Sequence, residues 1–156
     1  MPAKVEDTMI IRDYRQDDFS QVEALWKQTG IYSEGRGDTP EVISECNGRG
    51  GKFLILEDPS TGQIAGTSWL TFDGRRFFLH HFAVAPYLQG KGWGRRLARE
   101  SLRVARERGC PVKLEVHRDN VPAVNLYLSM GFERFEDFEI YMNRNSSEPH
   151  SSAPQQ

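Results

Sequence analysis

Three glycines at alternate positions, Gly90, Gly92 and Gly94, stand among the cations Lys91, Arg95 and Arg96, just after an apolar run that closes with Val84-Ala85-Pro86. Glycine lets a main chain approach a ligand with no Cβ in the way. A helix that opens here has first N–H groups with no partner inside the helix, and they form the positive end of its dipole. Main-chain donors, dipole and formal charge all favour an anion, and the expected ligand is a pyrophosphate. Its lining is expected from Gln89, Gly90, Lys91, Gly92, Trp93, Gly94 and Arg95.

Two common phosphate loops do not fit. The P-loop needs Gly-Lys followed by Ser or Thr, whereas Gly90-Lys91 is followed by Gly92-Trp93, so no hydroxyl is available for Mg²⁺. The dinucleotide loop needs G-x-G-x-x-G, a spacing these glycines do not supply. The word Gln89-x-x-Gly92-x-Gly94, behind a strand ending in Val84 and Pro86, resembles instead the coenzyme A loop of the GNAT N-acetyltransferase superfamily. A second block strengthens the resemblance: Leu114-Glu115-Val116-His117-Arg118-Asp119-Asn120, then Ala123, Leu126-Tyr127 and Gly131-Phe132. It is similar to the second half of that family's core, a strand, an asparagine, a short helix carrying N-x-x-A-x-x-L-Y, and a Gly-Phe opening the next strand. The two blocks occur in order and the resemblance spans residues 9–143.

The resemblance implies an acetyl-CoA-dependent N-acetyltransferase (an acyltransferase) acting on a primary amine. Neither Cys46 nor Cys110 lies in the motifs as an acyl carrier, so direct attack in a ternary complex is expected. Tyr127 matches the general acid that faces the coenzyme sulfur. A thiol of pKa about 8.5 and a phenol of about 10 make that proton transfer only mildly uphill. Glu115 matches a base position of members acting on peptide α-amines; an ion pair in a wet groove is its other reading. A glutamate that histone-lysine members carry early in the preceding strand is Phe78 here. His80 and His81, expected on opposite faces of that strand, are therefore candidates for a base or an amine-binding group, or else packed histidines. Phe82, Ala83 and Val84 are expected to bind the pantetheine arm through their main chain beside a β-bulge, with Asn120 on the same arm. Arg96 or Arg99 reaches the 3′-phosphate or stays solvated. No metal is implied. The expected acceptor is a small-molecule amine, with the α-amine of a peptide as the alternative and a non-catalytic acyl-CoA sensor as the second. A homodimer through the last hairpin is a further family trait.

The elements that must position these residues follow from periodicity. Residues 9–14 read as a strand, and Phe19, Val22, Leu25 and Trp26 make one helical stripe that Gly30 stops. Thr39-Pro40-Glu41 gives a second helix its cap, N1 proline and acidic first turn. The loop between these helices holds no motif; under the family reading it covers the acceptor, which makes Tyr32, Glu34, Arg36 and Asp38 candidates by location. Residues 53–57, 63–72 and 76–85 read as strands, the last two joined by the hairpin signal Asp73-Gly74. A helix from Gly92 to Arg108, stopped by Gly109, leads to a strand over residues 111–116 that returns parallel through a right-handed crossover. Ligands of open α/β sheets bind at the carboxyl ends of such strands. Residues 121–130 are apolar nearly all round, predicting a buried helix, and 132–135 with 138–142 predict a closing hairpin. The fold class is thus α/β in the mixed α+β sense: a GNAT fold with a mostly antiparallel mixed sheet of six or seven strands, a splayed parallel pair and about four helices.

The whole chain sets the outer bounds. At 156 residues a single domain is expected over 9–143, with a flexible leader over 1–8 and a disordered polar tail over 144–156. A net charge of −2, and arginines dense only between Arg95 and Arg108 with Glu100 and Glu107 among them, argue against nucleic acid as a partner. Two distant cysteines make neither a disulfide framework nor a zinc site, which points to a reducing compartment. Lys4, Glu6 and Asp7 replace the apolar run of a secretion signal, and no run of about 18 apolar residues predicts a membrane span. A cytoplasmic protein is expected.

Overall fold

Turn chemistry sets the register of the sheet. In the computed structural model, which describes residues 8–146, Asp73 accepts the N–H groups of Arg75 and Arg76, each at 2.8 Å, and Gly74 takes φ +92°. This turn joins β3 (Gln63–Phe72) to β4 (Phe77–Val84), pairing Phe72 with Phe77 and Gly66 with Val84. One turn earlier, the Asp58 carboxylate accepts the N–H and Oγ–H of Ser60, and Gly62 at φ +74° admits the bend from β2 (Lys52–Asp58) into β3. With β1 (Ile10–Asp13) beyond β2 and β5 (Val112–Leu114) beyond β4, the sheet runs β1-β2-β3-β4-β5. All pairs are antiparallel except β4 with β5.

Helices cover both faces. α1 (Phe19–Thr29) buries Val22, Leu25 and Trp26, and Gly30 at φ +77° stops it. α2 (Pro40–Gly48) is capped by Thr39, whose hydroxyl accepts the Val42 N–H at 3.3 Å. α3 (Trp93–Arg108) turns Leu97, Ala98, Ser101 and Ala105 inward and Arg99, Arg103 and Arg106 outward, so a single stripe meets the sheet. Its one polar core residue, Ser101, is satisfied by Ser68 of β3 at 2.6 Å and by its own Leu97 carbonyl. α4 (Val121–Ser129) completes the described elements.

Three expectations are corrected here. The described residues form a five-stranded sheet, because 132–135 and 138–142 adopt no strand, and Phe135, Phe138, Ile140, Tyr141 and Met142 are exposed. The fold class is unchanged by this. Without the hairpin, α4 has one packed side only: Tyr127 is buried, while Val121 and Leu128 face out. The strand expected over 111–116 is confined to Val112–Leu114 and leaves Glu115 exposed just beyond its end, with no burial to offset. The expected leader and tail lie, apart from Thr8 and residues 144–146, outside the described residues.

Candidate active site

A gap in the sheet creates the site. β5 pairs with β4 only from Phe77 to Leu79, through Val112, Lys113 and Leu114, and then diverges. From His80 to Val84 the β4 edge on that side has no strand beside it among the described residues, so its main-chain groups are open to a ligand lying in strand fashion.

The glycine loop sits at the end of this edge. Leu88 is buried and anchors a short turn over Pro86–Leu88, while the Gln89 side chain folds back to donate to the Val84 carbonyl at 2.9 Å. Gly90 and Gly92 both take positive φ, +75° and +88°, a conformation that side-chain-bearing residues rarely adopt. The first helical bond of α3 runs from Arg96 N–H to the Gly92 carbonyl. The N–H groups of Trp93, Gly94 and Arg95 precede it and have no acceptor within the helix, which makes this end able to hold a diphosphate. Two side chains expected in the lining do other work. Trp93 is buried beneath Arg96, and Arg95 reaches across to Ser129 Oγ at 2.9 Å and the Met130 sulfur at 3.6 Å, tying α3 to α4. Arg96 and Arg99 border a depression lined by Met9 and Ile11 beside β1, at the far side of the sheet from the gap.

Across the gap, Tyr127 of α4 stands with its ring 5.9 Å from Phe82 and 5.5 Å from Phe132. Burial pushes its phenol up to about 12, so it is a proton carrier throughout the physiological range. Asn120 caps α4: its Oδ1 accepts the Ala123 N–H at 3.4 Å, which leaves its amide NH₂ for another partner.

The other face of β4 differs from expectation. Thr67 pairs with Ala83 but Trp69 pairs with His80, so β4 carries one extra residue opposite Ser68, and His81 takes φ +46°. This bulge turns successive side chains to one side. His80 and His81 therefore share a face, with ring centroids 5.9 and 5.7 Å from Trp69, instead of lying on opposite ones. A non-glycine residue in this region costs about 1–3 kcal/mol and persists only where its surroundings hold it. The holding chain is buried: the Trp26 indole N–H donates to Thr67 Oγ1 at 3.0 Å, and the Thr67 hydroxyl donates to the His81 carbonyl at 2.7 Å. His80 stacks on Phe78 and bonds Thr71 Oγ1 at 2.8 Å; burial, with His81 beside it, holds its imidazole down to about 4. His81 meets the loop between α1 and α2, its Nε2 2.9 Å from Asp38 and 3.4 Å from Arg36 Nη1. Burial lowers its pKa, an effect that Asp38 opposes and Arg36 reinforces.

A model of the acetyltransferase (GNAT) family matches residues 11–132. The chain belongs to the GNAT acetyltransferase family. Its donor is acetyl-CoA and its reaction is N-acetylation. Solved structures agree in fold. A glucosamine-6-phosphate N-acetyltransferase from Arabidopsis thaliana is 18% identical with a TM-score of 0.65, covering 90% of this chain and 99% of its own. An acetyltransferase from Clostridium acetobutylicum with acetyl-CoA is 18% identical at 0.69, covering 86% and 96%. A ribosomal-protein alanine N-acetyltransferase from Escherichia coli is 21% identical at 0.66, covering 80% and 77%. The pairing of Asp38 with His81, and the parts of Trp26, Thr67 and Trp69, had no sequence signal: each depends on a bulge and on contacts between distant segments.

Proposed function

We propose that this GNAT enzyme acetylates a small-molecule primary amine by direct attack. The observation that carries the reading is the loop between α1 and α2, folded onto β4 at the bulge through Asp38 and Arg36, which makes the acceptor end confined. Acetyl-CoA supplies an activated acyl group on a thiol leaving group. On this reading Gly90, Lys91, Gly92 and the N–H groups of Trp93, Gly94 and Arg95 hold the diphosphate. Gln89 braces the loop, the open main chain of Phe82, Ala83 and Val84 meets the pantetheine arm, and the Asn120 amide meets it from the other side. Tyr127 gives its proton to the departing sulfur. With the phenol at about 12 against about 8.5 for a free thiol the transfer is uphill by about 5 kcal/mol. The cleft that desolvates the phenol also raises the proton affinity of a thiolate beside it, which narrows the gap. His80, held neutral near 4, is a wall more than a base.

Glu115 favours a second reading, a peptide α-amine acceptor. It stands exposed just past β5, where the strands part and a chain terminus can approach, and it is then the proton acceptor.

Thiol release from acetyl-CoA is to be measured with kanamycin, glucosamine 6-phosphate, spermidine and peptides of varied first residue. Turnover confined to the small amines is expected; turnover confined to peptides overturns the first reading in favour of the second. Tyr127→Phe should lower kcat about 10²-fold or more while acetyl-CoA affinity by calorimetry stays within twofold. Unchanged kcat in that variant rules out the acid role.

A further inference from the structure

We infer that Asp38 and His81 form a proton-accepting pair on the acceptor side of the sheet gap, with His81 the base and Asp38 the residue that positions it. The inference rests on the small-amine reading and deepens it by naming the base and the loop residue that orients it.

The geometry of the pair is that of an oriented imidazole. The carboxylate 2.9 Å from Nε2 outweighs the longer, 3.4 Å contact of that nitrogen with Arg36 Nη1 and favours the proton on Nε2, leaving the lone pair on Nδ1, which makes no hydrogen bond among the described residues. The two side chains are 7% and 15% exposed, shielded enough for the bond to persist and to act strongly. Trp26 packs against the imidazole, ring centroids 4.3 Å apart at an interplanar angle of 46°. The Trp26–Thr67–His81 carbonyl chain holds the strained backbone beneath it. A ring packed against Trp26, a tautomer favoured by a carboxylate and a backbone held in a costly conformation are three separate constraints on one residue. The cluster also contains the indole N–H of Trp69, buried and without an acceptor among the described residues.

Position supplies the second argument. His81 lies against α1, whereas Tyr127 packs in the cluster with Ala105 of α3, so base and acid occupy opposite faces of the sheet. The β4 edge between them is the unpaired stretch, and Phe82, next to His81, touches Tyr127 across it. An amine entering beneath the loop and a thiol leaving toward α4 would meet at this opening. The amine nitrogen bonds the acetyl carbon as the carbon–sulfur bond breaks; the amine's proton passes to His81 Nδ1, and the sulfur electron pair takes the proton of Tyr127. Exchange with water restores both residues.

The charged and titratable groups facing His81 are Asp38 and Arg36 from the loop and His80 from β4. Asp38 raises the proton affinity of His81 and Arg36 lowers it, so Asp38→Asn should weaken the base and move its titration to lower pH.

Two readouts test the pair in the full-length enzyme. In ¹⁵N-labelled protein, imidazole NMR should give His81 as the Nε2–H tautomer; Asp38→Asn should lose that preference and titrate lower, and Asp38→Glu should restore part of both. A His81 tautomer and titration unaltered in Asp38→Asn overturn the pairing. In kinetics with whichever of kanamycin, glucosamine 6-phosphate or spermidine turns over, His81→Gln should lower kcat about 10²-fold or more. Asp38→Asn should move the acid limb of kcat to lower pH and reduce its plateau about tenfold or more, with acetyl-CoA affinity unchanged. Turnover with an unmoved acid limb overturns the pair and leaves the small-amine reading intact. Silence with all three amines, acetyl-CoA still binding, overturns the small-amine reading and the pair with it.

Discussion

His80 illustrates how one residue records its surroundings in stability. Its imidazole is pressed between Phe78 and Trp69, and its pKa of about 4 in the folded chain lies below the ordinary 6.5. Above pH 6.5 the group is neutral folded or unfolded and contributes no difference. As pH falls from 6.5 toward 4, the unfolded chain binds the proton first and stability is lost. The full difference corresponds to about 3 kcal/mol, and partial exposure reduces the expected loss to about 1–2 kcal/mol. Urea unfolding at pH 7 and pH 4.5 checks this: His80→Gln should shrink the loss between the two, and an equal loss in wild type and variant would refute the assignment. At this scale the glycine loop and helix start were legible in the sequence, and Asp38 and His81 were separate candidates, but their pairing was not legible. A diphosphate cradle needs glycines at fixed spacing beside a helix start, and Gln89-x-x-Gly92-x-Gly94 displays that requirement directly. The meeting of Asp38 with His81 is set by tertiary packing, and neither residue's neighbours in the chain announce it.

Among the elements, β4 is the one whose irregularity matters. Its extra residue aligns His80 and His81 on one face, and Thr67 of β3 secures the distortion by accepting from Trp26 and donating to the His81 carbonyl. Thr67→Val keeps the shape and removes the hydroxyl, leaving a buried donor and a buried acceptor unpaired. Unfolding free energy should fall by about 1–3 kcal/mol, and kcat should fall more than acetyl-CoA affinity if the affected side takes the acceptor as proposed. Calorimetric affinity falling in parallel with kcat would show the bulge to serve both halves equally. Strand and helix positions were largely readable from alternation, caps and turn residues, with Gln63–Phe72 matching residue for residue. The bulge was expected only through the family likeness, and its effect on side-chain direction was misread, since strict alternation fails wherever a residue is inserted.

Across the whole molecule, order is uneven. β2, β3 and β4 are tied by ladders on both sides, whereas residues 133–143 form no ladder and expose Phe135, Phe138 and Tyr141. Hydrogen exchange should therefore show amides of β3 protected to near the global unfolding limit and those of 133–143 exchanging fastest among the described residues. Protection at 133–143 matching that of β3 would mean that the closing hairpin pairs with β5 in solution. Residues 132–142 carried a strand-like pattern, Phe132, Phe135, Phe138, Ile140 and Met142, yet a pattern only specifies a strand when an edge receives it. The three-residue β5 offers a short one.

The proposed diphosphate site is made of main-chain N–H groups, with the Arg95 side chain committed elsewhere. Such a surface presents the same donors whatever side chains surround it. An inhibitor built to grip it would draw little selectivity from side chains. Selectivity has to be sought on the opposite face, where a compound reaching Asp38, His81 and Trp69 would meet side chains instead of main chain.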